Sequence, residues 1–311
     1  MKSFPSEKTI YGSKNMLSFN KKTAKLQKEN LAYIEEGKGE KVILVHGNMS
    51  SGAHFLPLID LLKSKFTLLA PDLRGFGDSS YNNRFDSMDQ LAEDLNEFME
   101  VLNIPSAHFV CWSAGCPVTL KLAAMYPQKV KSIFAIEGGS HKGYPIYKKD
   151  KNFQSVFGSP YKSKEEMAQD PVQVTPALNM IKTKNAAGMS QIWDAVIYTC
   201  KKPSKEDNAQ YIAETLKQRC LIDLDWALAN LNMSHEYNAY GKGSADIKKV
   251  NCPVAFTTAD KDLSVPPWMV MENVNAFPAA RLIAYVDCGH SPLIDCPQQL
   301  AQDVVSFIEN K

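Results

Sequence analysis

The stretch HFVCWSAGCPVTLKLAA, residues 108–124, decides the fold. It reads as a short apolar strand, a tight turn at Ser113 and then a helix. A serine exposed on such a turn needs small residues two positions to either side, because the backbone folds back sharply there. Gly115 meets that need on the far side. Cys111 meets it less well on the near side, where G-x-S-x-G would carry glycine.

Outward from this turn the chain alternates strands and helices. Upstream, LAYI (31–34), KVILVHG (41–47) and FTLLAPD (66–72) read as strands; downstream, SIFAIEG (132–138) does too. Between them, SMDQLAEDLNEFMEVLNI (87–104) repeats Leu91, Leu95, Phe98, Met99 and Leu102 at helical spacing, with Ser87 and Gln90 as a capping box. Strand–helix alternation with near-continuous apolar strands predicts an α/β fold with a mainly parallel sheet covered on both faces.

From about 141 to 245 the strand-like runs stop and helical patterns take over. Met189, Ile192, Trp193, Val196 and Ile197 form one stripe; Ser204 and Asp207 cap a helix through 211–218; IDLDWALANLNM (222–233) is helical as well. The α/β pattern returns with PVAFTTAD (253–260) and RLIAYVDCG (281–289), and an amphipathic helix follows Pro297. The expected division is a core of 1–140 and 246–311 carrying a helical cap or lid, 141–245.

The chemistry-bearing residues fall at strand ends, where active sites of open α/β sheets gather. LVHGNM (44–49) turns directly after a strand, so a backbone N–H from that loop and the N–H of Ala114 can converge on a developing oxyanion. DKDLSVPP (260–267) places acids past one strand, and DCGHSP (287–292) places His290 past the next. The order serine, acid, histidine is that of a hydrolase triad.

These pieces, with PDLRGFGDSS (71–80), resemble the α/β-hydrolase superfamily over more than half of the chain. The resemblance implies the α/β-hydrolase fold, Ser113 as nucleophile, His290 as general base and Asp262 as its orienting acid. Asp262 stands in the family's register to Val265, while Asp260 is displaced by two. Asn48 and Ala114 would supply the oxyanion-hole N–H groups. HGNM also resembles haloalkane dehalogenases, but those require a carboxylate nucleophile and this chain has serine. The implied reaction is hydrolysis of a small or medium ester, thioester or lactone through an acyl-enzyme, with no metal or organic cofactor. Carbon–carbon bond hydrolysis and a non-catalytic ligand pocket are the alternatives.

Other titratable residues carry blander expectations. His46, His54 and His108 read as structural, packing or surface groups, Asp72 and Arg74 as turn braces, and Cys288 as a small buried thiol. Trp193, Tyr198 and Trp226 read as helix-packing residues of the lid, any of which could line the pocket. His235 is the lid residue of most interest, though a surface role suits it better. Glu137 and His141 are not placed by the sequence.

Composition sets the remaining bounds. With 35 basic against 34 acidic residues the net charge is +1, which points away from nucleic acid and anionic membrane as partners. No apolar run approaches the roughly 18 residues of a membrane span. The start, MKSFPSEKTIYGSKNM, has no apolar core of a secretory leader, so the cytoplasm is expected. Seven cysteines without a CxxC pair favour reduced thiols over a disulfide framework or zinc site. The partner expected is a small molecule, and the lid helices could equally mediate a homodimer.

Overall fold

The structure, a computed structural model, describes residues 19–309. The starting stretch MKSFPSEKTIYGSKNM, and with it the expectation about a leader, lies outside them. In chain order the elements are β1 (Lys21–Lys25), β2 (Asn30–Gly37), β3 (Glu40–Val45), α1 (Leu56–Leu62), β4 (Phe66–Pro71), α2 (Met88–Val101), β5 (Ala107–Trp112), α3 (Gly115–Met125) and β6 (Val130–Ile136). Then come β7 (Tyr147–Lys149), β8 (Ser155–Pro160), α4 (Lys164–Met167), α5 (Thr175–Thr183), α6 (Ala186–Val196), α7 (Lys205–Thr215), α8 (Leu221–Asn230), β9 (Tyr237–Asn238) and β10 (Gly241–Lys242). The chain closes with β11 (Val254–Ala259), α9 (Pro267–Ala276), β12 (Arg281–Tyr285), α10 (Pro292–Asp295) and α11 (Pro297–Glu309).

Eight strands form one sheet in the order β1-β2-β4-β3-β5-β6-β11-β12. From β4 to β12 every pairing is parallel, while β2 runs antiparallel to β4 and to β1. The strand β5 lies at the centre with all six residues buried, as a parallel strand covered on both faces must. Alternate residues feed two cores. Phe109 and Cys111 pack with α2 and α3 residues such as Leu95 and Leu122; Val110 and Trp112 pack on the other side with Leu58 of α1 and Leu300 of α11. Burial on that scale contributes roughly 1.5–3 kcal/mol per large side chain.

The segment between β6 and β11 adds no strand to this sheet. It is not purely helical: β7–β8 and β9–β10 form two small antiparallel ribbons beside its five helices. Those short ribbons carry no run of alternating apolar residues, so their sequence did not distinguish them from loops. Two helix starts were expected to be capped. At α7 the Ser204 hydroxyl accepts the Asp207 N–H at 3.0 Å. At α2 the Ser87 side chain makes no cap bond, and Gln90 Oε1 instead accepts the Asp86 N–H at 2.7 Å, one residue earlier.

A partly buried ion cluster ties the segment to the sheet. Lys21 Nζ on β1 donates to Asp72, Asp78 and, on α7, Glu214, at 2.7, 2.7 and 2.6 Å. Asp72 also accepts the Gly52 and Asp78 N–H groups, and Arg74 pairs with Asp94, so both brace the 71–80 turn as expected. Among the described residues, no helix is long and apolar enough to cross a membrane.

Candidate active site

Ser113 sits in the turn between β5 and α3 with φ of +53°, a left-handed conformation that is strained for a residue with a side chain. Backbone bonds hold it there: its N–H donates to Ile136 O at 2.9 Å and its carbonyl accepts from Cys116 at 3.0 Å. The glycines are required by close approach. A Cβ on Gly115 would lie 2.2 Å from Val45 O, and one on Gly47 would lie 2.8 Å from the Ser113 Cβ. Cys111 fits the near side because its side chain turns back into the sheet, with Sγ 3.7 Å from Phe134 O.

His290 follows β12 in a loop pinned at several points. Trp112 Nε1 donates to the His290 carbonyl at 2.8 Å, and the two rings lie 5.6 Å apart. Asp295 Oδ2 accepts the Gly289 N–H at 2.7 Å. The imidazole Nδ1 lies 2.7 Å from Asp262 Oδ2, and both groups are buried. Asp262 Oδ1 accepts the Ser264 and Val265 N–H groups at 2.7 and 2.9 Å. Burial pushes the Asp262 carboxyl upward, but His290 and those two N–H groups outweigh it and hold it below the usual carboxylate range. With an ionised acceptor, the Nδ1 position carries the proton and donates, which leaves Nε2 as the basic nitrogen. Asp260, the competing acid, faces elsewhere: its Oδ1 accepts the Cys288 N–H at 3.1 Å.

Ser113 and His290 open into one cavity of about 410 Å³. Gly47, Asn48 and Ala114 line it beside the serine, and Tyr144, Trp193, Leu221 and Leu228 wall it from the 141–245 segment. A hollow of about 570 Å³ against Lys22, Glu35 and Lys63 shares no residue with this cavity. Of the aromatics singled out in that segment, Trp193 lines the cavity; Tyr198 packs on Trp193 at 5.2 Å, and Trp226 stands edge-on to Tyr240. His235 is exposed and off the cavity.

The other titratable groups also find places. His108 spans Ser132 and Glu40 on the sheet, and the His141 Nδ1 lies against Asn273 Oδ1. His46 lies under the loop after β3, bonded to Leu73 N–H and Gly47 O. Glu137 is buried at the end of β6, accepting from Thr257 Oγ1 and Ala259 N–H at 2.7 and 3.0 Å. Burial first, and the neighbouring Asp262 charge, push its carboxyl well above the usual carboxylate range. Cys288 is a buried thiol whose Sγ lies 3.7 Å from that of Cys296.

One acidic residue of the cavity is not singled out by the sequence. Asp225 of α8 places its carboxyl in the wall, 2.9 Å from Asn48 Nδ2. Asn48 Oδ1 in turn accepts from Met49 N–H and Gln218 Nε2. In IDLDWALAN nothing separates Asp225 from Asp223, which faces Arg84 and Lys164 instead.

The chain resembles known proteins over most of its length. The chain is 24% identical over 305 residues to bifunctional epoxide hydrolase 2 of Sus scrofa, covering 90% of this chain and 53% of that protein. It is also 24% identical over 285 residues to lipase 3 of Moraxella sp. (strain TA144), covering 90% and 81% of the two chains. It thus spans about half the length of the epoxide hydrolases it matches. A thermophilic esterase from Thermogutta terrifontis superposes with a TM-score of 0.67 at 17% identity, covering 94% of this chain and 98% of that one. The family model described as alpha/beta hydrolase fold matches residues 41–297, and the chain belongs to that family.

Proposed function

We propose that the protein is a serine hydrolase that cleaves small or medium carboxylic esters, thioesters or lactones through an acyl-enzyme on Ser113. The observation that carries this reading is the strained Ser113 turn opening into the same cavity as His290, whose Nδ1 is held by Asp262 at 2.7 Å. In this mechanism His290 Nε2 takes the Ser113 proton as the hydroxyl attacks the carbonyl carbon. Negative charge gathers on the carbonyl oxygen and is met by the backbone N–H groups of Asn48 and Ala114. The tetrahedral adduct collapses as His290 returns its proton to the leaving group. Water then attacks the acyl-enzyme, the same imidazole receiving and returning a proton, and the acid leaves. Asp262 keeps the imidazole in the productive tautomer and balances its charge in the transition state.

The 141–245 segment acts in this reading as a cap. Its side chains form much of the cavity wall, which favours compact apolar substrates over polymers. The relative named a lipase agrees in reaction class.

Hydrolysis of p-nitrophenyl butyrate tests the reading. The parent protein is expected to turn it over, and Ser113→Ala is expected to lower kcat by about 10⁴-fold or more. Turnover that survives the substitution would place the chemistry elsewhere.

A further inference from the structure

Asp225 lies in the wall of the cavity that holds Ser113 and His290, yet the mechanism above gives it no task. Its side chain comes from the middle of α8, and the residue is only 6% exposed. Among the described residues its one hydrogen-bond partner is Asn48, which donates from Nδ2 to Oδ1. The cavity lining is mainly apolar, with Ile146, Trp193, Leu221 and Leu228 in it, and it also carries Tyr144 and Gln173. Two residues earlier on the same helix, Asp223 is met by both Arg84 and Lys164. Burial pushes the Asp225 carboxyl up to about 7; the Asn48 amide works against that, and the Asp170 charge adds to it.

A carboxyl whose task was only to anchor Asn48 would be poorly chosen. A neutral amide would accept the same N–H without the cost of burying an ionisable group in a mainly apolar wall. What a carboxylate adds is a second, strongly accepting oxygen that can take a donor from a bound molecule. Asn48 also connects this carboxyl to the loop beside Ser113, so a group bound at Asp225 stands close to the reacting atoms.

We infer that Asp225 is a substrate-recognition group, and that the cavity takes molecules whose apolar body carries a hydrogen-bond donor, an ammonium or a hydroxyl, held by Oδ2. This role rests on the ester-hydrolase reading for what happens after binding. The bound ester then has a polar donor at one end and its carbonyl at Ser113. Esters of the same size without a donor leave the carboxyl desolvated and unanswered, and bind more weakly.

Calorimetric titration of the Ser113→Ala protein, in which the proposed turnover cannot interfere, tests this directly. The probes are hexylammonium, 1-hexanol and 1-methoxypentane, the last matching hexanol in size without a donor. Hexylammonium or hexanol is expected to bind about tenfold tighter than the ether. A gain for hexylammonium alone marks a cation site, and a gain for both marks a general donor site. Adding Asp225→Asn keeps an acceptor for Asn48 and turns an N–H toward the cavity, so the preference is expected to vanish. Equal affinity for all three probes in Ser113→Ala would overturn the inference, as would a preference that Asp225→Asn leaves unchanged. Lack of ester turnover by the parent protein would count against the hydrolase reading alone.

Discussion

Asp260 and Asp262 stand two residues apart, both past the end of β11, and they do different work. Asp260 Oδ1 takes a backbone N–H of the loop that carries His290, whereas Asp262 reaches the imidazole itself. Two N–H groups occupy the other Asp262 oxygen, so the carboxylate cannot rotate away without losing both. Asp262→Asn is therefore expected to lower kcat on p-nitrophenyl butyrate by about 10³–10⁴-fold, by stabilising the wrong imidazole tautomer. Asp260→Asn should stay within about tenfold of the parent, and steady-state kinetics on the purified variants checks both. The family register was enough to prefer Asp262, since that register encodes which acid the turn projects inward. No comparable rule distinguished Asp225 from Asp223, because their helix carries apolar residues around most of its circumference and either acid could have faced solvent.

At the scale of elements, long apolar runs were the legible part. Strands β2 to β6, β11 and β12 and helices α2, α6, α7, α8 and α11 all fall on stretches with clear periodicity. The edge strand β1 was not read, since KKTAK holds a single buried apolar residue and pairs mainly through its backbone. The expected strand through 289 stops at Tyr285, and Asp287 with φ of +54° starts the loop that delivers His290.

The connection from β3 to α1 also hides a pH dependence. It contains two buried histidines, His46 and His54, the latter stacked between Trp193 and Tyr211 at 5.0 and 4.9 Å. Burial lowers their pKa values to about 4 and about 3, from an ordinary value of 6.5. Between these values the unfolded chain binds protons that the folded one refuses. Stability from the neutral rings is thus full above about pH 6.5 and is lost as pH falls toward 4 and 3. Replacing His54 by Gln removes one of the two contributions. Urea unfolding at pH 7 and pH 5 should show a loss on acidification about 2 kcal/mol smaller in His54→Gln than in the parent. An identical loss in both proteins would mean that His54 is not held neutral.

Over the whole molecule, the sheet carries Ser113 past the end of β5 and His290 past the end of β12, with β6 and β11 between them, and the segment between β6 and β11 lines part of the cavity into which both open. Lys21, joined to Asp72 and Asp78 on one side and Glu214 on the other, ties that segment to the sheet. Strand ends of the sheet supply Ser113 and His290, and the segment between β6 and β11 supplies about half of the residues that line their cavity. Periodicity revealed the insertion because its helices are amphipathic. It could not reveal which side chains face inward, since that depends on how the helices dock.

The nucleophile is the claim on which the rest depends. Intact-mass measurement after treatment with a fluorophosphonate tests it most directly, because such reagents phosphonylate only a serine activated by its neighbours. The account predicts one adduct per chain, mapped to Ser113 by peptide analysis, and none in Ser113→Ala. An adduct that persists in Ser113→Ala, or one that maps to another residue in the parent protein, would contradict it.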